Sequence, residues 1–120
     1  STPAKTAQAA FEYGAKKDAR ELTARRVVEQ TRVSWQALTT SRQRVELLEN
    51  AVNIAAEVFD ARQKLREAGK ETVINVLDAE NEIFNARINY VQAAYDEQVA
   101  IFQLLLAMGQ LDAARLGLDG

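Results

Sequence analysis

The stretch "LREAGKETVINVLDAEN", residues 65–81, decides how the rest of the chain reads. On either side of it runs one charged, Ala- and Leu-rich helical pattern, and here that pattern halts at a glycine and restarts. Gly69 sits where a left-handed C′ residue ends a helix, and Thr72 can accept the first free N–H groups of the next. A first helix is therefore expected over about residues 3–67, a turn over 68–71 and a second helix over about 72–108. Pro3 suits a first helical turn capped by Ser1 or Thr2, and Gly14 is tolerated inside a helix at modest cost. Gly109 is expected to stop the second helix, leaving 109–120 as a trailing segment.

The apolar faces say what such helices pack against. In the first helix Val45, Leu48, Val52, Ala55 and Phe59 step by three and four, which is a coiled-coil seam. Leu47, Ala51, Ile54, Val58, Ala61 and Leu65 make a second seam, rotated by roughly 120°. The second helix has Leu77, Phe84, Val91, Tyr95 and Phe102 on one flank and Val76, Ile83, Tyr90, Ala94 and Ile101 on the other, with Asp78, Asn81, Glu82, Asn85 and Asn89 in the polar arc. A two-stranded hairpin needs one seam per helix, so two seams imply neighbours on both sides. Folding at Gly69 pairs residues whose numbers add up to about 140. Phe11, Tyr13 and Leu22 then lack a partner, while Leu104, Leu105, Leu106 and Met108 are apolar nearly all round. The fold class is all-α: a long antiparallel coiled-coil helical hairpin that needs further helices.

Composition removes most catalytic readings. The 120 residues contain no His and no Cys, so imidazole acid–base chemistry, thiol nucleophiles and the usual zinc sites are absent. Ser34 and Ser41 have no partner base. Asp78, Glu80 and Glu82 lack the glycine of a calcium loop, and 78 and 80 point to different sides of a helix. No enzyme activity, cofactor or metal is expected. The net charge of −2 hides a basic first third, with nine basic against four acidic residues up to Arg44. Those cations are spread around the helix, and Glu12/Lys16 and Glu21/Arg25 have i,i+4 spacing, so nucleic-acid binding is not expected. No stretch is long and apolar enough to span a bilayer as a helix, and no signal peptide is seen. Beginning at Ser1, the chain is expected to be a processed product or a piece of a longer one.

With these residues in view, "AGKETVINVLDAENEIFNARINYVQAAYDEQVAIFQLLLAMGQL", residues 68–111, resembles the tip turn and returning helix of the TolC family of outer-membrane channel-tunnels. The resemblance rests on Gly69, Thr72, Val76-Leu77-Asp78-Ala79, Asn85-Ala86-Arg87, Tyr95 and Ala107-Met108-Gly109. Residues 24–38, "ARRVVEQTRVSWQAL", look like the upper part of the family's outgoing helix. The resemblance implies a homotrimer whose hairpins build a periplasmic α-barrel, joined to the outer membrane by β-strands that lie outside this stretch. It implies docking of a periplasmic adaptor (membrane fusion) protein and an inner-membrane pump or ABC transporter, in drug efflux or type I secretion. Asp78 matches an aspartate lining the closed entrance, where a ring of carboxylates would attract cations. Asn75 matches a second family aspartate whose charge is gone here. Arg66, Gly69, Lys70, Glu71 and Thr72 fall in the tip where the adaptor docks. Arg66 and Glu71 stand where well-studied members carry a Tyr and an Arg that help lock the tip.

Plainer roles stay open for several of these. Asp78 also suits a helix-start carboxylate favoured by the dipole, Gly69 is first a C-cap, and Trp35 and Phe59 suit packing. The expected function is a passive export conduit opened at its tip. The alternative is a self-standing helical coiled-coil interaction or scaffold module.

Overall fold

The computed structural model describes residues 2–117 and shows two long helices, α1 (Thr2–Glu67) and α2 (Val73–Arg115), joined by a five-residue turn. No strand occurs among the described residues, and the expected all-α helical hairpin is what forms. The turn takes its geometry from two local devices. Gly69 has φ of 72°, and its N–H bonds the Arg66 carbonyl at 2.9 Å while the Lys70 N–H reaches back to Leu65 at 2.8 Å. This is the Schellman arrangement, which pairs two of the carbonyls left over at the end of α1. Thr72 then caps α2 by accepting the Asn75 N–H on its Oγ1 at 3.2 Å.

The far end of α2 corrects the sequence expectation. Gly109 lies inside the helix, which continues through the expected trailing segment to Arg115. The physical reason is the packing pattern beyond it, where Leu111, Ala113 and Ala114 are all half-buried. The residue that ends α2 is Gly117, at φ 73°, with its N–H on the Ala114 carbonyl at 3.2 Å. The last three residues of the expected trailing segment, 118–120, and Ser1 as a candidate cap lie outside the described residues. Thr2 is already helical.

Two compact units divide the chain, one spanning Ala37–Ile101 and the other taking the residues up to Gln36 and from Phe102 onward. In the first unit α1 presents Leu38, Ser41, Val45, Leu48, Val52, Ala55, Phe59 and Arg62, all buried or half-buried and spaced by alternating threes and fours. Facing them, α2 buries Val76, Ala79, Ile83, Ala93 and Ala100, with Ala86, Tyr90 and Glu97 half-buried on the same line. That 3.5-residue period is the signature of a left-handed coiled-coil seam. In the other unit Ser34, Leu104 and Ala107 are buried, and the Thr31 hydroxyl donates to the Ala107 carbonyl at 3.4 Å as well as to Val27 at 2.9 Å.

One feature of α2 sets how near the helices come. Every seventh residue from Ala79 to Ala114 is alanine: 79, 86, 93, 100, 107 and 114. Small side chains on the seam let two backbones approach toward the near end of the usual 8–10 Å range. The reach of Thr31 to a main-chain carbonyl of the opposite helix fits that closeness.

The second seam stays bare. Leu47, Ile54, Val58 and Leu65 on α1 are exposed, as are Leu77, Phe84, Ile88, Val91, Tyr95 and Phe102 on α2. Phe11, Tyr13 and Leu22 are exposed too, the first at 77%. The cations of the first third are solvated: Arg25 meets Glu21 at 4.0 Å and Arg32 meets Glu29 at 3.6 Å, all well exposed, while Glu12 accepts from Gln8. Exposed pairs of this kind contribute little.

Candidate functional site at the helix turn

The turn gathers its polar groups around one carboxylate. Glu71 stands immediately before the cap residue of α2, and its Oε1 accepts both the Thr72 N–H, at 3.2 Å, and the Asn75 side-chain amide. Its Oε2 faces Arg62 of α1, 3.4 Å from Nη1. The Glu71 side chain is only 15% exposed, against 42% for Arg62. The bond from Asn75, then the Thr72 N–H, then the Arg62 charge hold its carboxyl below the usual carboxylate value. Stability gained from a depressed carboxyl is present above the unfolded value and is lost as pH falls through the lower folded one.

Beside this cluster runs an open groove of about 460 Å³. Its apolar side is Ala51, Ile54, Ala55 and Val58 of α1, and its polar side is Asn75, Asp78 and Glu82 of α2, with Arg62 also in its lining. A second groove, of about 680 Å³, follows the exposed flank of α2 along Phe84, Ile88, Val91 and Tyr95, with Arg87 and Gln92 at its margin. Each groove pairs an apolar strip with polar residues.

Of the tip residues singled out from sequence, Gly69, Glu71 and Thr72 act together in the turn, and Asn75 joins them. Lys70 and Arg66 are exposed, and both also serve through their backbone in the Schellman bonds. Asp78 is exposed on the wall of the first groove, one turn from Asn75. The partner that sequence reasoning missed is Arg62. It lies three residues beyond Phe59 on the α1 seam, a charged residue on an apolar line close to the turn, and that was the available signal. No group of Asp and Glu gathers to hold a metal ion among the described residues, and none of their helices is long and apolar enough to cross a membrane.

Comparison with known proteins matches residues 1–110 to the family described as outer membrane efflux protein. The chain is 33% identical over 86 residues to outer membrane efflux protein BepC of Brucella suis biovar 1, covering 72% of this chain and 19% of the relative. It is 31% identical over 110 residues to outer membrane protein TolC of Vibrio cholerae serotype O1, covering 92% of this chain and 25% of the relative. The chain thus spans about a fifth to a quarter of the length of the curated relatives it matches. No solved structure matches it significantly.

Proposed function

This chain belongs to the outer membrane efflux protein family, and from that premise we propose that it supplies a wall hairpin to a periplasmic export tunnel. The observation that carries the reading is the pair of bare apolar strips on different helices. Ile54 and Val58 of α1 line a groove with polar residues of α2, and Leu47 is bare two turns away, while Phe84, Ile88, Val91 and Tyr95 form a separate strip on α2 itself. Exposed strips of this length mark surfaces that other protein covers. Two different strips favour side-by-side contact with non-identical faces, the heterologous arrangement that closes into rings. A homotrimer with several such hairpins per protomer uses both.

In this reading the polypeptide carrying the hairpin is a passive conduit for protein or small molecules, anchored in the outer membrane by strands outside these residues. The turn points toward the inner membrane, where Arg66, Gly69, Lys70, Glu71 and Thr72 form the face met by a periplasmic adaptor and, behind it, an inner-membrane pump or ABC transporter. Asp78 contributes a ring of carboxylates at the entrance, which concentrates cations, with the neutral Asn75 at the neighbouring ring position. The exposure of Asp78 at the groove wall suits that role.

Single-channel recording of the assembled protein tests the proposal. Asp78→Asn is expected to weaken block of the pore by divalent or trivalent cations at least several-fold. Unchanged block would remove Asp78 from the entrance. Recovery of the polypeptide as a soluble species of non-trimeric mass, outside the outer-membrane fraction, would sink the channel reading and leave a helical assembly module.

A further inference from the structure

Asn75 is the residue whose role the export reading leaves least explained. Its backbone N–H goes to the Thr72 hydroxyl at 3.2 Å, and its side-chain amide donates to Glu71. In an ordinary capping box the residue at this third helical position is a Glu or Gln that reaches back to take the N–H of the cap residue. Here Glu71, one residue before the cap, takes the Thr72 N–H instead, and Asn75 orients it. The acceptor for the cap N–H thus moves from position 75 to position 71, and position 75 becomes a donor. Arg62 closes the cluster from α1, so the three residues tie the start of α2 to the last turns of α1 across the Schellman turn.

We propose that Glu71 is a clamp on the hairpin turn, and that Asn75 is its positioning residue, uncharged because a carboxylate at 75 would face the carboxylate at 71. The clamp is internal to one hairpin and holds whatever the chain assembles with. Its chemistry requires an acceptor at 71 and a donor at 75, because one Glu71 oxygen takes both the Thr72 N–H and the Asn75 amide, beside one cation. The charged group facing Glu71 from α1 is Arg62, and on α2 the nearest acidic wall is Asp78 and Glu82, which line the groove with Asn75 and Arg62. A second carboxylate at 75 would add to that wall and to Glu71 at once, with Arg62 as the counter-charge.

Amide hydrogen exchange of the full chain, read at Thr72 to Val76 and at Ala93 as an internal control, separates this from a merely exposed asparagine. Asn75→Asp is expected to speed exchange at Thr72 and Asn75 positions about tenfold at neutral pH, because a charge-assisted bond becomes a repulsion. Asn75→Ala, which removes the donor without adding charge, gives a smaller rise of about threefold. The exchanged pair, Glu71→Gln with Asn75→Asp, does not recover the parent's protection, because an amide NH2 turned toward the new carboxylate at 75 cannot also accept the Thr72 N–H. As pH falls into the carboxylate range the Asn75→Asp excess shrinks, since one proton shared between the two carboxyls rebuilds the bond. Equal exchange in Asn75→Asp and Asn75→Ala, or full recovery in the exchanged pair, overturns the proposal.

Discussion

The seam that α2 buries and the flank that it leaves bare are built from opposite materials. Buried are Ala79, Ala93, Ala100 and Ala107, with Val76, Ile83 and Leu104 between them; bare are Phe84, Ile88, Val91, Tyr95 and Phe102. Aromatic side chains bring the largest hydrophobic gain on burial, whereas an alanine brings little more than one methyl, about 0.8 kcal/mol. In a protein whose folding ended with this hairpin, the two sets would be exchanged. The hairpin's own seam is therefore sized for close backbone approach. Its larger apolar payload is held outward.

Enlarging the seam carries the largest expected effect. Ala93 is 1% exposed, so Ala93→Leu has no room without pushing the helices apart. The expected cost is about 2–3 kcal/mol, at the upper end for overpacking, measured as a lowered urea midpoint with the slope unchanged. A loss under about 0.5 kcal/mol would mean that the alanines do not set the spacing.

The seam was half legible in the sequence. Val45 to Phe59 declared their line through large residues at three- and four-residue steps, and the turn declared itself through Gly69 and Thr72. The alanine line of α2 was masked because alanine occurs on every face of these helices and carries almost no hydrophobic contrast. Only its seven-residue spacing marks it. Gly109 misled for a related reason: a glycine reads as a stop, but Leu111 and Ala114 extend the seam beyond it, and tertiary packing outweighs the cost of about 1 kcal/mol for a glycine in a helix. At the site, Gly69, Glu71, Thr72 and Asn75 were visible as tip residues by resemblance. Their bonding was not, because it depends on Arg62, which reaches the turn only once the two helices are side by side.

The turn that brings the two helices together supplies the next test. Gly69 has a positive φ, and a Cβ there would meet nothing within 4 Å. Gly69→Ala therefore isolates the backbone strain, expected at about 1–2 kcal/mol. The check is again the urea midpoint, and Gly69→Asn, which tolerates the left-handed region better, is expected to recover part of the loss. A smaller effect comes from Thr31→Val, which keeps the shape but removes the hydroxyl from the Val27 and Ala107 carbonyls. Its expected cost is about 0.5 kcal/mol, because both carbonyls also belong to helix backbones that already pair them.

The smallest effect on the hairpin should come from its largest apolar groups. Phe84 is 61% exposed, so Phe84→Ala in the chain alone is expected to change unfolding stability by no more than about 0.5 kcal/mol. If the proposed assembly covers this strip, the same substitution there removes a buried aromatic side chain, and truncation costs about 3 kcal/mol or more. Thermal unfolding of the chain and sedimentation of the assembly read the two effects separately. If Phe84→Ala destabilised the chain alone as much as Ala93→Leu does, the flank would belong to the hairpin's own core, and its exposure would not mark a surface kept for neighbours. If it left the chain intact and dissociated the assembly, the division of labour between small seam residues and large flank residues would be the organising feature of this hairpin.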